Sequence, residues 1–348
     1  MLPKQSSTQQ TGADHFARWL PRLGFFSLLA LAGLVYEKRA QQRFRACTKP
    51  PGRLYDIGGR RLHLICKGDR QPGQPLVVLE AGHGSWSSCW QKVMPEVAKH
   101  ARVCAYDRAG YGWSDPAPGN AYPERIVADL RALLKQAGEA GPYLLVGHSM
   151  GGALSRLFTT LHPEDVVGMV WVDSVQEDLP AYLPAGCWAF TAVQYGALFG
   201  ALLAQAGFMR FSGLGRFIAK YPSVQSASDA HALVEQVSQP GYMRVLAAET
   251  RTLADASGWR RVRSHFGRLP IISLEACYAE RPPFYLPVSF WQKFRSGWHT
   301  MHDHLAERAD NLKRIPVECG HVIMDERPEQ VIQAVLDLLN EVKSQDHN

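Results

Sequence analysis

Five short runs in the chain are apolar over nearly their whole length: PLVVLEAG (75–82), RVCAYD (102–107), YLLVGH (143–148), VVGMVWVDS (166–174) and LPIISLEA (269–276). A strand with one face in water alternates polar and apolar residues, and these do not. Both of their faces must be covered, as in the middle of a parallel sheet. Helical patterns separate them, at SSCWQKVMPEVAKH (87–100), PERIVADLRALLKQAG (123–138) and GGALSRLFTTLH (151–162). The rhythm ends with a helical stretch at 288–309, the strand-like KRIPVECGH (313–321) and a last helix at 328–343. Strands alternating with helices of this length predict a mostly parallel, doubly wound α/β sheet with right-handed crossovers. An extra hairpin is expected in RLYDIGGRRLHLICKG (53–68), around Gly58-Gly59.

The rhythm breaks once. Residues 174–268 are too many for a connection and are expected to form an inserted helical subdomain. Within them AGCWAFTAVQYGALFGALLAQAGFM (185–209) carries no charge. The expected organisation is a tail and membrane anchor at 1–48, core at 49–173, helical insertion at 174–268 and core again at 269–348.

The anchor is inferred from LGFFSLLALAGLVY (23–36), an uncharged run followed at once by the basic EKRAQQRFR. Fourteen residues fall short of the roughly 20 that cross a bilayer. Trp19, Leu20 and the snorkelling stems of Arg22 and Lys38 extend the run. No A-x-A site ends it, so an uncleaved single-pass anchor is expected over a signal peptide. Basic residues are more numerous after the run than before it, which leans the C-terminal domain toward the cytoplasm.

The remaining composition excludes more than it assigns. With 46% apolar and 20% charged residues the chain is globular, and its net charge of +6 is not gathered into a nucleic-acid surface outside residues 38–61. There is no zinc-finger spacing and no GxxxxGK[ST] loop, so no nucleic-acid partner is expected. Seven cysteines are scattered without a CxxC pair, several inside apolar runs. They read as buried thiols rather than a disulfide framework, with a lean toward a reducing compartment.

GHSMG (147–151) stands where a strand pattern turns into a helix pattern. Glycines two positions before and after Ser149 suit a sharp turn, where side chains would collide with neighbouring backbone. Taken with the upstream EAGHGSW, the segment YDRAGYGWSDP and the late ECGHVIMDERPEQV, this motif identifies a resemblance. The chain resembles a serine-dependent α/β-hydrolase across roughly residues 53–343, and is similar to the lid-bearing esterases and lipases of that fold.

The resemblance implies roles. Ser149 is the expected nucleophile and His321, in the loop after the last strand, the expected general base. The acid is open. The seventh strand gives LEACYAERPP, with Glu275 and Glu280 but no aspartate, while the sixth ends in Asp173. Asp173 is the first choice, then Glu280 and Glu275, with Asp178, Glu177 and Asp303 behind them. Oxyanion donors are expected at the backbone N–H groups of Met150 and His83. Asp107 and Arg108 are expected to pair with each other, His148 to pack at the turn, and WHTMHDH (298–304) to form a mostly solvated helix face.

Such an arrangement implies acyl-enzyme chemistry on a small-molecule ester, with no metal, nucleotide or redox cofactor. Serine at the turn argues against dehalogenase or epoxide-hydrolase chemistry, which in this fold uses an aspartate nucleophile. The insertion reads as a lid, with Trp188, Phe190 and Phe199 as candidate substrate contacts, favouring apolar or lipid-like acyl groups. The alternatives are an acyltransferase, thioesterase or peptidase on the same machinery, or a ligand-binding member without turnover.

Overall fold

The computed structural model describes residues 11–119, 122–184, 186–218, 227–278 and 287–345. Its strands are β1 (Arg53–Asp56), β2 (Arg61–Lys67), β3 (Leu76–Glu80), β4 (Val103–Tyr106), β5 (Tyr143–His148), β6 (Val166–Val172), β7 (Ile271–Ala276) and β8 (Leu312–Val317). They form one eight-stranded sheet in the order β1-β2-β4-β3-β5-β6-β7-β8. β1 pairs with β2 and β2 with β4 antiparallel, and every other pairing is parallel. The uninterrupted apolar runs are its middle strands, and β3, β4, β5 and β7 are buried at every residue.

The helices of eight or more residues are α1 (Thr11–Cys47), α2 (Pro123–Ala137), α3 (Met150–Leu161), α4 (Gly186–Gln205), α5 (Ala227–Val237), α6 (Pro240–Ala254), α7 (Val288–Ala306) and α8 (Pro328–Gln345). One face of the sheet buries Val331, Val335 and Leu338 of α8. The other takes Leu130, Leu133 and Leu134 of α2 with Leu157 and Phe158 of α3. Pro123 opens α2 and Gly138, at φ +73°, closes it in the left-handed conformation that a side chain disfavours.

The helix expected over 87–100 does not form as one piece. Ser87–Trp90 makes a 3-10 turn and Met94–Val97 a single α turn. Pro95 accounts for the break, because it has no N–H to donate and its ring collides with the carbonyl four residues earlier.

Between β6 and β7 the chain is helical, comprising α4, α5, α6 and short turns at Phe208–Phe211 and Leu214–Ile218. Ala201, Ala204, Leu233, Val237 and Met243 of these helices close over Trp86 and Tyr111 of the body. This apolar seam seats the insertion on the loops that follow β3 and β4.

The expected single-pass anchor is corrected by α1. No helix among the described residues is long and apolar enough to cross a membrane. Side chains of α1 are described from residue 27, and beyond Tyr36 the helix continues directly into charge. Glu37, 3% exposed, pairs with Arg210 of the insertion at 2.7 Å. Phe44 stacks on Trp113 at 5.1 Å. Gly33 lies so close to the insertion that a Cβ there would sit 2.2 Å from the carbonyl oxygen of Ala206. The second half of α1 is thus docked on the protein, while Leu28, Leu29, Leu31, Leu34 and Val35 remain exposed.

A second correction concerns the cysteines. Cys66 of β2 and Cys104 of β4 face each other in antiparallel register and form a disulfide. The partners are 38 residues apart, and only the sheet brings them together. Disulfides persist mainly in oxidising compartments, so the expectation of a reducing one loses its basis. Peptide mapping without reductant is expected to recover a linked pair containing Cys66 and Cys104, and reduction to lower stability by about 4 kcal/mol in the chain-entropy account. Full alkylation of both residues in unreduced, folded protein would contradict the bridge.

Candidate active site

β5 runs into GHSMG, and Ser149 takes φ 53° and ψ −120°, a conformation rare for any residue with a side chain. Neighbouring backbone holds it there. Its N–H donates to the Val172 carbonyl at 3.1 Å, while its own carbonyl accepts from Gly152 N at 3.0 Å and Val175 N at 3.2 Å. The glycines are required by contact. A Cβ on Gly147 would meet Gly151 O at 2.4 Å, and one on Gly151 would meet Glu80 O at 2.3 Å. The turn is therefore pressed against the end of β3 with no room for side chains.

Asp173 follows β6 and is fully buried. Its Oδ2 accepts from His321 Nδ1 at 2.6 Å and from the Tyr278 hydroxyl at 3.2 Å. Its Oδ1 accepts from Ala276 N at 3.0 Å, Trp298 Nε1 at 3.0 Å and His302 Nε2 at 3.1 Å. Burial by itself would lift the pKa of this carboxyl. The hydrogen bonds from His302 and His321 outweigh it and hold the group well below the usual carboxylate range. Tyr278 moves the other way, raised by burial and the adjacent carboxylate, so it stays a donor.

Of the other carboxylates, Glu275 accepts both Nε and Nη2 of Arg314 at 2.8 Å and makes no hydrogen bond to His321. Asp303 also pairs with Arg314, and Glu177 bridges Arg156 and Arg308. Glu280 lies outside the described residues. His302 corrects the expectation of a solvated 298–304 face, being 1% exposed. Trp298, Met301, His302 and Leu305 recur at helical spacing and form the buried side of α7, while His299 and Asp303 face solvent.

His148 packs against His321, with ring centroids 4.6 Å apart. Its Nε2 lies 2.9 Å from the His321 carbonyl, a contact that needs the proton on that nitrogen. Burial and the neighbouring His321 lower its pKa to about 3, so the ring is neutral. Ser149 and His321 line one cavity of about 800 Å3. Their side chains are not hydrogen-bonded to each other, and bonds of that kind often tighten only when a ligand is seated.

Over Ser149 passes the loop 81–85. A Cβ on Gly82 would lie 3.2 Å from the Ser149 Cβ. The backbone N–H of His83, and that of Met150 at the start of α3, meet no acceptor among the described residues. The His83 ring turns away toward the insertion, with Nε2 2.9 Å from Thr250 Oγ1, and burial lowers its pKa.

Arg108 and Asp107 do not pair. As consecutive residues after a strand they point apart. Asp107 accepts from Ser87 N, Ser87 Oγ and Trp113 N, and pairs with His63. Arg108 spreads across the loop, donating to the carbonyls of Ala81 at 2.6 Å and Gly82 at 2.7 Å, to Glu80 at 2.9 Å and to Glu249 of α6 at 2.7 Å.

The cavity walls are apolar, formed by Leu183, Phe190, Leu233, Val237, Trp291 and Phe294 among others. Trp188 and Phe199 are not among them. They are 67% and 61% exposed on the outer face of α4. α4 is apolar around its whole circumference, so the sequence contains no stripe to say which side faces inward.

The chain has the α/β-hydrolase fold. A family model described as "alpha/beta hydrolase fold" matches residues 74–240. Three relatives share stretches of sequence. A probable transporter, efuK, of Hormonema carpetanum is 40% identical over 36% of this chain and 18% of its own length. An uncharacterized vacuolar membrane protein of Saccharomyces cerevisiae is 34% identical over 34% of this chain and 21% of its own. A 2-hydroxy-6-oxo-2,4-heptadienoate hydrolase of Pseudomonas putida is 36% identical over 36% of this chain and 45% of its own. The chain thus spans less than half the length of each. Among solved structures, the epoxide hydrolase CorEH is similar in fold, with a TM-score of 0.62 at 20% identity, covering 83% of this chain and 98% of that one.

Gly151→Ala is expected to destabilise the protein by about 3 kcal/mol or more, because backbone oxygens cannot yield to the added carbon. Gly241→Ala, where a Cβ would meet nothing within 4 Å, serves as the comparison and is expected to be neutral. Thermal melts check both, and equal melting temperatures would contradict the packing of the turn.

Proposed function

We propose that the chain is a serine hydrolase that cleaves carboxylic esters with apolar acyl groups through an acyl-enzyme intermediate. The reading rests on one observation above others: the 2.6 Å hydrogen bond from His321 Nδ1 to Asp173, on the rim of a cavity that Ser149 also lines. Asp173 fixes the Nδ1–H tautomer and leaves Nε2 free to accept the Ser149 proton. Ser149 Oγ attacks the acyl carbon, and the oxyanion is received by the N–H groups of Met150 and His83, each worth roughly 3 kcal/mol. The ester C–O bond breaks as His321 returns the proton to the departing alcohol. Water then attacks the acyl-enzyme by the same route and releases the acid. Epoxide hydrolysis is not proposed, because serine stands where that chemistry in this fold requires aspartate.

Apolar walls set the substrate class. An acyl chain buried among Phe190, Leu233, Val237, Trp291 and Phe294 gains about 0.8 kcal/mol per methylene, so longer chains are favoured until the cavity is full. The insertion acts as the lid over this cavity.

Exposed apolar side chains support a membrane surface as the setting of the reaction. Leu28, Leu31 and Leu34 of α1 and Trp188, Phe199 and Leu202 of α4 are all exposed, large apolar side chains of the kind that mark a membrane or partner surface. Lys38, Arg39, Arg43 and Arg45 follow on α1, exposed and suited to anionic headgroups. One of the relatives carries the name of a vacuolar membrane protein. The contact is lateral, by helices lying on the leaflet rather than crossing it.

A fluorophosphonate probe is expected to label Ser149, and Ser149→Ala to lose both label and turnover. Asp173→Asn is expected to lower kcat by about 10³–10⁴-fold. Specificity for p-nitrophenyl esters should rise from acetate toward medium chains. A Ser149 that stays unreactive in folded protein sinks the reading. For the membrane, co-sedimentation with anionic vesicles is expected, weakened by the pair Phe199→Glu and Leu202→Glu; binding that ignores both changes would overturn that placement.

A further inference from the structure

Nothing in the chemistry above uses Glu249, yet this insertion carboxylate is 1% exposed and held by four donors around the loop that crosses Ser149. Its Oε1 accepts from Arg108 Nε at 2.7 Å; its Oε2 accepts from Arg108 Nη2 at 3.1 Å, the Tyr111 hydroxyl at 2.9 Å and Gly84 N at 3.4 Å. Through Arg108 it is tied to the carbonyls of Ala81 and Gly82 and, at 3.4 Å, to that of Ser85. The same helix reaches the loop at three more points, with the His83 Nε2 lying 2.9 Å from Thr250 Oγ1 and 3.3 Å from Leu246 O, and the Tyr242 hydroxyl donating to Gly84 O at 3.2 Å.

We infer that Glu249 is a positioning residue: with Arg108 it clamps loop 81–85, so that the His83 N–H is aimed at the oxyanion only while the insertion is seated. Guanidinium and carboxylate geometry supports this. Arg108 offers five N–H donors in one rigid plane, and two of its sides are taken by loop carbonyls and Glu80. Glu249 occupies the remaining side bidentately and fixes the rotation of that plane. Lifting the insertion removes Glu249 and leaves the guanidinium free to turn, with the loop carbonyls it holds. Opening of the lid and loss of the oxyanion donor are then one event.

This inference rests on the ester-hydrolase reading, and its test separates the two. Glu249→Gln is compared with Glu37→Gln, which removes charge from a similarly buried pair, with Arg210, that joins α1 to the insertion and makes no hydrogen bond to loop 81–85. Each is assayed well below its own melting temperature, with a p-nitrophenyl ester and with the fluorophosphonate. Glu249→Gln is expected to lower kcat and the rate of Ser149 phosphonylation together, by about 10–100-fold, part of what complete loss of an oxyanion donor costs. KM should stay within about twofold. Glu37→Gln is expected to leave kcat and labelling unchanged. Tyr111→Phe, which deletes only the hydroxyl on Glu249, is expected to show a smaller loss in the same direction and stands in should Glu249→Gln not fold. If the unmodified protein is labelled but neither Glu249→Gln nor Tyr111→Phe differs from Glu37→Gln in kcat, the positioning role is wrong and the ester reading stands. If the unmodified protein is not labelled, the ester reading itself fails and takes this inference with it.

Discussion

Five hydrogen bonds converge on the buried carboxylate of Asp173, and they come from three distant stretches: β7 and its end, α7, and the loop after β8. A charge with no access to water survives only if its lone pairs are satisfied. Each of these donors therefore fixes the element that carries it. Trp298 and His302 set the rotation of α7, Ala276 and Tyr278 the path of the chain leaving β7, and His321 the loop beyond β8. One charge thus orders the elements that carry His321, Tyr278 and Trp298, while the neighbouring GHSMG turn is held by its glycine contacts and by backbone hydrogen bonds to Val172 and Val175.

Arg108 plays the corresponding part on the other side. It sits between Glu80 of the sheet and Glu249 of the insertion, both nearly fully buried. The loop over Ser149 is strung on it by carbonyl groups. One buried network holds the imidazole and the other the backbone above the serine. Removing a partner from either leaves a buried charge exposed to its neighbours, a penalty of several kcal/mol, so both are expected to tolerate little change.

The sheet was legible because burial on two faces writes itself into consecutive residues, as in LVVLE and YLLVGH. The turn was legible because its steric demands fall within five residues. Asp173 came from noticing that β7 offers no aspartate, an argument from chain order rather than from contact. What could not be read were the pairings across space. Arg108 and Glu249 are 141 residues apart, His302 and Asp173 129, and Cys66 and Cys104 38, so no local pattern links them. Some missed signals were present: Trp298, Met301, His302 and Leu305 share a helical stripe that marks His302 as buried. Trp188 and Phe199 gave no such help, because a helix apolar all round hides which face is inward. The apolar run at 23–36 showed a helix that prefers to leave water, but not that its continuation docks on the insertion through Glu37 and Phe44.

The central claim is that Asp173 and His321 make Ser149 a nucleophile. It is tested most directly with a carbamoylating ester, whose acyl group leaves serine slowly, followed by quench and mass spectrometry of the peptide containing Ser149. The account predicts a carbamoyl group on Ser149 that forms as the alcohol is released and decays as activity returns. Release of alcohol with the adduct on another residue, or with no adduct at any time, would contradict it.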